Sequence, residues 1–305
     1  MEQINYKTIE NRFSWLFIEN QKTIISPDID GILCGLFMSN FLNWKIVGFY
    51  DGKYLCHSKS SRINDTIFLD IEIFRKGIKS CGHHMLMYNI NDLPQNWENF
   101  SDSINPNNLR GFDVIHQFKR KYPLATIHFL LCCISEVRQV EIKIYNTTTV
   151  PLLYVDGTFK NLLNYPENCS DWLTYLNAKN PNSPVYPIFE MVAKQRLKNI
   201  IHLLQDIFDK FDDIRGRTNR GDKISIRDIR ERGFRSYHPL LCLLSNYTGW
   251  EFNHNNWILN NLEIIQFRKK IEMALRGNKF LGIVRQNPLS WAITSRKRME
   301  YTLES

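Results

Sequence analysis

The chain has 305 residues and carries 39 Lys+Arg against 31 Asp+Glu, which gives a formal net charge of +8 and a pI near 9.0. This length predicts two domains or one large domain with an appendage, and 43% hydrophobic residues are typical of a folded protein rather than a disordered one. A mean hydropathy of -0.34 and the lack of an apolar run of about 18 residues argue against a polytopic membrane protein and predict no membrane partner.

The first part of the chain alternates between predicted strands and a predicted helix. Residues 22–27 (KTIISP) and 44–50 (WKIVGFY) are apolar runs typical of strands. Residues 31–42 between them are apolar on most sides, as in a helix that packs on a sheet. A third strand is predicted within 66–74 (TIFLDIEIF), which is β-branched and alternating. This order predicts a parallel sheet built of βαβ units.

The middle of the chain gives weaker patterns. Residues 89–108 are polar, contain two prolines and predict a long loop, and 112–122 (FDVIHQFKRKY) predict an amphipathic helix. Residues 126–134 (TIHFLLCCI) are buried helix or strand, which periodicity does not decide. Residues 150–159 (VPLLYVDGTF) predict a strand that ends at Asp156.

Helical patterns dominate from about residue 170 onward. Residues 187–211 predict one amphipathic helix of about seven turns, and 256–277 predict another that stops at its final glycine. We therefore predict an α/β fold, in which a parallel-sheet domain over residues 1–165 is followed by a mainly helical, basic region over residues 166–305. That second region is expected to bind substrate or a partner.

Positive charge is concentrated in the last third of the chain. Residues 214–305 hold 17 Lys+Arg and 8 Asp+Glu, whereas the first 213 residues are nearly neutral. Arginine binds phosphate oxygens and stacks on bases, although a solvated helix face explains such a run equally well. The candidate phosphate or nucleic-acid contacts are Arg215, Arg217, Arg220, Arg227 and Arg230.

The cysteines and the N-terminus predict a cytoplasmic protein. Seven cysteines are an odd number and show no CxxC spacing, so neither a zinc ribbon nor a disulfide framework is expected. The first 13 residues are polar and mixed in charge, unlike a secretory signal.

Acidic residues and histidines follow the predicted strands. Asp28 and Asp30 lie one residue apart in a turn after the first strand, where ordinary turns also use Asp and Gly. Asp70 ends the third strand, and ligand sites of open α/β sheets collect at that edge. His83 and His84 come 13 and 14 residues after Asp70. Carboxylates and imidazoles in this order predict a divalent-metal site.

These motifs resemble those of the DHH family of phosphoesterases, which includes RecJ-type exonucleases, oligoribonucleases and manganese-dependent pyrophosphatases. The likeness covers about residues 20–90 and extends more weakly to about 160: IISPDIDGILCGLF is similar to the first motif, FLD to the second and GHH to the third. The resemblance implies Mn²⁺ or Mg²⁺ as cofactor and His84 as the group that faces the scissile phosphate. The implied metal ligands are Asp28, Asp30, Asp70 and His83.

The sequence also departs from the family pattern. Ile24 stands where several members have His, Ser26 where the RecJ type has Asp, and Gly82 where the third motif has Asp. Asp156 is the preferred candidate for a fourth-motif metal ligand, and Asp113 is the second choice. The Gly-rich companion domain of many members is not visible, so the basic C-terminal region would replace it.

The resulting expectation is a metal-dependent phosphoesterase, most simply a nuclease, that cleaves a nucleic acid or nucleotide with a metal-activated water. The alternative is a catalytically weak relative that binds nucleic acid or nucleotide within a larger assembly. The sequence leaves open whether the protein also binds a protein partner or forms a homo-oligomer. DIDGIL also resembles haloacid-dehalogenase-type phosphatases, in which Asp28 would be the nucleophile. That family would need a GDxxxD element, and here Ile226 stands where the second Asp would follow Gly221-Asp222.

Overall fold

The computed structural model describes residues 3–218 and 222–304. In the helix over residues 197–218 it describes the side chains up to residue 214. It is a mixed α/β protein with a mostly parallel seven-stranded sheet, as the sequence predicts. The helices are α1 Tyr6–Arg12, α2 Ile29–Leu42, α3 Pro106–Leu109, α4 Val114–Gln117, α5 Thr126–Arg138, α6 Asn146–Tyr154, α7 Thr158–Asn164, α8 Pro166–Tyr175, α9 Tyr186–Lys194, α10 Leu197–Thr218, α11 Ile226–Arg232, α12 His238–Thr248 and α13 Gly277–Val284.

Seven strands form the larger sheet in the order β6-β5-β4-β1-β2-β3-β7. Neighbours from β6 to β2 are parallel, whereas β3 is antiparallel to both β2 and β7. The strands are β1 Lys22–Ile25, β2 Lys45–Tyr50, β3 Tyr54–Ser58, β4 Ile67–Leu69, β5 Lys79–Cys81, β6 Ser103–Ile104 and β7 Leu262–Gln266.

A second, antiparallel sheet has the order β8-β10-β9. Its strands are β8 Arg268–Glu272, β9 Ser290–Ser295 and β10 Arg298–Leu303. The helix predicted over residues 256–277 is therefore wrong, because β7 and β8 occupy that segment. Ile264 and Ile265 pair with β3, and this pairing outweighs the helical spacing of the apolar residues. The region predicted to be mainly helical over residues 166–305 instead contains four strands and helix α13 after Asn256.

The chain forms two compact units from discontinuous segments. The helical unit comprises the described residues of 1–19, 27–43 and 123–256, and the sheet unit comprises those of 20–26, 44–122 and 257–305. A compact unit of this kind need not be a domain that folds independently. The predicted division into residues 1–165 and 166–305 stays a prediction.

Within the helical unit, α2 is buried along nearly its whole length and packs on α5 and α12. The predicted helix at 31–42 is confirmed, and the ambiguous segment at 126–134 is helix α5. The strand predicted over 150–159 is wrong, because α6, a 3-10 turn and α7 cover it. A short apolar run gives the same pattern in a buried strand and a buried helix, and here α6 packs on α9, α10 and α12.

Two more predicted helices differ in length. The helix expected over residues 187–211 is split into α9 and α10, because Gln195 between them is extended. The helix expected over residues 112–122 is one turn, α4, followed by a 3-10 turn. Its end is fixed by Asn107, whose side-chain oxygen accepts a hydrogen bond from the Tyr122 amide at 2.7 Å. The expected loop at 89–108 contains β6 and the start of α3.

The sheet unit holds two apolar clusters. One surrounds Tyr50 and Phe68 beside the larger sheet, and the other surrounds Trp291 and Phe280 beside the smaller sheet. None of the seven cysteines, all of which the structure describes, forms a disulfide bond, and all except Cys242 are buried. Among the described helices, none combines the length and apolar character needed to cross a membrane.

Gly48 allows the close pairing of β2 with β3. A Cβ atom at this position would lie 2.3 Å from the Cys56 carbonyl oxygen and 2.9 Å from the His57 Cα, both backbone atoms. We expect Gly48→Ala to lower the free energy of unfolding by about 1–3 kcal/mol, measured by chemical denaturation. Gly282→Ala in α13 is the matched control, because its Cβ meets nothing within 4 Å and should stabilise by about 0.5–1 kcal/mol. Equal effects of the two changes would contradict the steric argument.

Candidate metal centre

Asp70 lies at the carboxyl end of β4, as the sequence predicts. Its backbone N–H donates to the carbonyl oxygen of Cys81 at 2.8 Å, which continues the pairing of β4 with the neighbouring strand β5. Its φ of +62° is a left-handed conformation that is uncommon outside glycine. The carboxylate is 1% exposed. Backbone strain of this kind often occurs where a functional side chain must be aimed.

His83 and His84 follow β5 and direct both rings at Asp70. The Nδ1 of His83 lies 3.9 Å from Asp70 Oδ1, and the Nε2 of His84 lies 3.3 Å from the same oxygen. The two ring centroids are 4.1 Å apart. Parallel pairing of β4 with β5 places the ends of both strands at one edge of the sheet, which brings these three residues together.

Ser26 contributes a contact that the sequence did not reveal. It follows β1, the other parallel neighbour of β4, and its hydroxyl donates to Asp70 Oδ2 at 2.5 Å. The Ser26 amide also donates to the carbonyl oxygen of Leu69 at 3.2 Å. The hydroxyl therefore orients the carboxylate from one side while the two imidazoles approach from the other. In the sequence, Ser26 stands out only as a departure from a family motif.

Asp70, His83 and His84 could hold a metal ion. Their ligand atoms all lie within 4.8 Å of one another. Two donor atoms bound about 2.1 Å from one ion are roughly 3.0–3.4 Å apart, so the observed spacing needs only small side-chain rotations. A carboxylate with two imidazoles is a donor set that suits a divalent transition metal. The residues therefore fit a divalent metal ion.

Glu72 is a second buried carboxyl group in the sheet unit beside this cluster. Burial raises its pKa above the ordinary value, while the charge of His84 and hydrogen bonds from Met85, Asn105 and His84 act in the opposite direction. Its oxygens accept the backbone N–H groups of His84 at 3.3 Å and of Met85 at 3.1 Å. Glu72 therefore contacts the backbone of the histidine segment.

Asp28 and Asp30, the other two predicted ligands of the first motif, lie in the helical unit. Asp28 is partly exposed and is the N-cap of α2, where its Oδ1 accepts the Gly31 amide at 3.3 Å. Asp30 is buried, and its two oxygens accept the amides of Thr126 at 2.6 Å and Ile127 at 2.9 Å. Asp30 thus satisfies the first N–H groups of α5, a structural role that sequence reasoning missed.

Asp156, the preferred fourth-motif candidate, also lies in the helical unit. It follows helix α6 rather than a strand, is exposed and has a φ of +50°. Together with Asp28 and Asp30 it lines a cavity of about 470 Å³, whose wall also includes Tyr154 and Lys160. The helical unit thus brings three of the predicted acidic residues to one cavity.

Asp113, the second choice, is the buried N-cap of α4. Its oxygens accept the His116 amide at 2.7 Å, the His116 Nδ1 at 2.7 Å and the Ile90 amide at 2.9 Å. Burial alone would raise its pKa, but these hydrogen bonds prevail and the pKa falls below the ordinary value. The geometry gives this carboxylate a structural role in the sheet unit.

The structure describes the side chains of two of the five predicted phosphate-binding arginines. Arg227 and Arg230 are exposed on α11, where Ile226 and Ile229 form the buried side of the helix. Arg220 lies outside the described residues. Arg215 and Arg217 belong to α10, and their side chains also lie outside the described part.

No protein-family model matches this chain, and no curated protein or solved structure is similar to it. The resemblance to the DHH phosphoesterases therefore rests on the motifs quoted above.

The different surroundings of Asp28 and Asp30 predict different responses to amide substitution in the metal-free protein. Asn caps a helix as well as Asp, so Asp28→Asn should leave the free energy of unfolding nearly unchanged. Asp30→Asn turns an NH₂ group toward an amide donor and should lower the free energy of unfolding by about 1–3 kcal/mol. Chemical denaturation in EDTA measures both. Equal stability of the two variants would contradict the capping role of Asp30.

The lowered pKa of Asp113 predicts a pH-dependent stabilisation. The ionised carboxylate stabilises the fold fully above its ordinary pKa of 3.8, and this stabilisation is lost as the pH falls through the lowered value. Asp113→Asn should therefore cost about 1–3 kcal/mol at neutral pH, and the difference from wild type should narrow toward about pH 3. Urea unfolding at both pH values tests this. A difference that stays constant would show that the charge is not involved.

Proposed function

We propose that the protein is a divalent-metal-dependent phosphoesterase of the DHH type that cleaves phosphodiester bonds. The observation that carries the proposal is the convergence of Asp70, His83 and His84 at the carboxyl edge of β4 and β5. The three residue types and their order agree with the motifs found in the sequence. A strained, buried carboxylate in contact with two imidazoles is an arrangement typical of a functional site.

Asp70 and His83 are the proposed metal ligands. When bound, the metal would act as a Lewis acid that acidifies water and stabilises charge on phosphate oxygens. We favour Mn²⁺ over Mg²⁺, because Mg²⁺ prefers oxygen ligands and the proposed ligands include the imidazole of His83. Ser26 holds the carboxylate through its 2.5 Å hydrogen bond and would limit rotation of Asp70.

His84 is proposed to contact the scissile phosphate. Its side chain is 35% exposed, against 11% for His83, so His84 is the more accessible of the two imidazoles. A protonated or Nδ1–H imidazole can donate a hydrogen bond to a phosphate oxygen, where negative charge increases in the transition state. Asp70, 3.3 Å from the opposite ring nitrogen, would orient the ring.

A nucleic acid or nucleotide is the proposed substrate. Positive charge in residues 214–305 and the exposed guanidinium groups of Arg227 and Arg230 support binding of a polyphosphate. The two arginines are three residues apart on α11, so they lie on neighbouring positions of the helix surface. Such spacing suits contacts with successive phosphates of one strand.

A binding module without efficient catalysis is the second candidate, and Asp30 favours it. In the family motif this aspartate is a metal ligand, whereas here both of its oxygens accept amides of α5. A carboxylate occupied in this way is less available to a second metal ion. The protein would then bind nucleic acid or nucleotide without rapid turnover.

Hydrolysis of a labelled panel tests the proposal. Single-stranded DNA, duplex DNA, short RNA and cyclic dinucleotides would be incubated with Mn²⁺, with Mg²⁺ and with EDTA. We expect turnover by wild type with Mn²⁺, and a loss of at least about 100-fold in Asp70→Asn, because the ligand charge is removed. Gly282→Ala, on α13 and outside the Asp70, His83 and His84 cluster, is the fold control. Equal turnover by wild type and Asp70→Asn would exclude catalysis at this site, and binding without turnover would favour the second candidate.

A further inference from the structure

The backbone that carries the two histidines is held by a carboxylate from a different strand end. Glu72 is fully buried, and its Oε2 accepts the His84 amide at 3.3 Å while its Oε1 accepts the Met85 amide at 3.1 Å. A buried carboxylate is costly unless hydrogen bonds replace its hydration. Here two of those bonds come from the histidine segment itself.

Two buried asparagines add further hydrogen bonds to this segment. Asn105 donates to Glu72 Oε1 and, at 2.7 Å, to the carbonyl oxygen of Met85. Asn107 donates to the carbonyl oxygen of His83 at 3.3 Å. Side chains therefore bind both N–H and C=O groups of the short segment that follows β5. A segment held at several backbone atoms keeps its side chains in one orientation.

Gly82 leaves the space that the Glu72 carboxyl group fills. A Cβ atom at residue 82 would lie 2.7 Å from Glu72 Oε2 and 2.9 Å from its Cδ. Its backbone is not in the left-handed region that favours glycine, so the requirement is steric. Residues 72 and 82 thus compete for one position beside the His84 amide.

We infer that Glu72 is a positioning residue that fixes the backbone of His83 and His84 for metal and phosphate binding. The inference rests on the proposed function of the Asp70, His83 and His84 cluster. A short acidic side chain at residue 82 could accept the amide two residues ahead in an Asx turn. In this chain Glu72 accepts the same amide of His84, and Gly82 makes room for it.

Mn²⁺ binding by wild type and Glu72→Gln, measured by calorimetry, is the first test. Gln keeps the shape of Glu but turns an NH₂ group toward a backbone N–H donor. We expect the affinity for Mn²⁺ to fall by about 10–100-fold. The Tm of the metal-free protein should stay within about 4 °C of wild type, which separates positioning from general loss of structure.

Rescue by a carboxylate at the neighbouring position is the second test. Gly82→Asp alone should weaken Mn²⁺ binding, because its side chain collides with Glu72 and adds a like charge. Glu72→Ala should weaken it through loss of the hydrogen bonds. The double variant Glu72→Ala/Gly82→Asp should bind Mn²⁺ at least about 10-fold more tightly than Glu72→Ala, because the carboxylate introduced at position 82 could accept the His84 amide.

Asp70→Asn separates failure of this inference from failure of the proposed function. Wild-type Mn²⁺ affinity in Asp70→Asn would overturn the proposed metal site itself. Loss of binding in Asp70→Asn together with wild-type affinity in Glu72→Gln would overturn the positioning role alone. A double variant no better than Glu72→Ala would also overturn it. If Glu72→Ala does not fold, the isosteric Glu72→Gln decides, because it keeps the packing of the site.

Discussion

Parallel pairing of β1, β4 and β5 is the constraint on which the candidate site depends. Parallel strands end at the same edge of a sheet, so the residues that follow them meet even when they are far apart in sequence. Ser26, Asp70 and His83 each follow one of these strands. Asp70 lies between the other two because β4 lies between β1 and β5. The order of the strands therefore explains why one carboxylate contacts a hydroxyl on one side and imidazoles on the other.

Burial and local geometry give the acidic residues different roles. Asp30 and Asp113 are buried and bind backbone amides at helix starts, which is what an uncompensated helix terminus requires. Glu72 is also buried and binds the amides of an irregular segment rather than a helix. Asp70 faces two imidazole nitrogens instead of backbone amides. Residue type alone does not distinguish these roles, because a carboxylate accepts hydrogen bonds from amides and coordinates metals with the same oxygen atoms.

The sequence predicts strands and the residues at their ends correctly where the hydrophobic pattern and the strand order agree. It predicts less well where tertiary contacts determine the secondary structure or the role of a side chain. Runs at 22–27 and 44–50 are strands as predicted, and the Asp70 and His83 positions follow from strand ends. Residues 150–159 are helical because their apolar run packs on other helices. A short buried run does not by itself distinguish a helix from a strand. The backbone contacts of Glu72 could not be predicted, because its partners come from chain segments 12 to 33 residues away. Spacing along the chain carries no sign of such contacts.

The position of β7 in the chain has a consequence for folding during synthesis. This strand comes from residues 262–266, yet it pairs with β3 at residues 54–58, so the sheet stays open at one edge until residues 262–266 have left the ribosome. An unpaired edge presents free N–H and C=O groups to other chains, and pairing across some 200 residues is slow because of the loop entropy. The nascent chain therefore carries an exposed edge on β3 until residues 262–266 are available to pair, and a chain cut short before β7 would retain it.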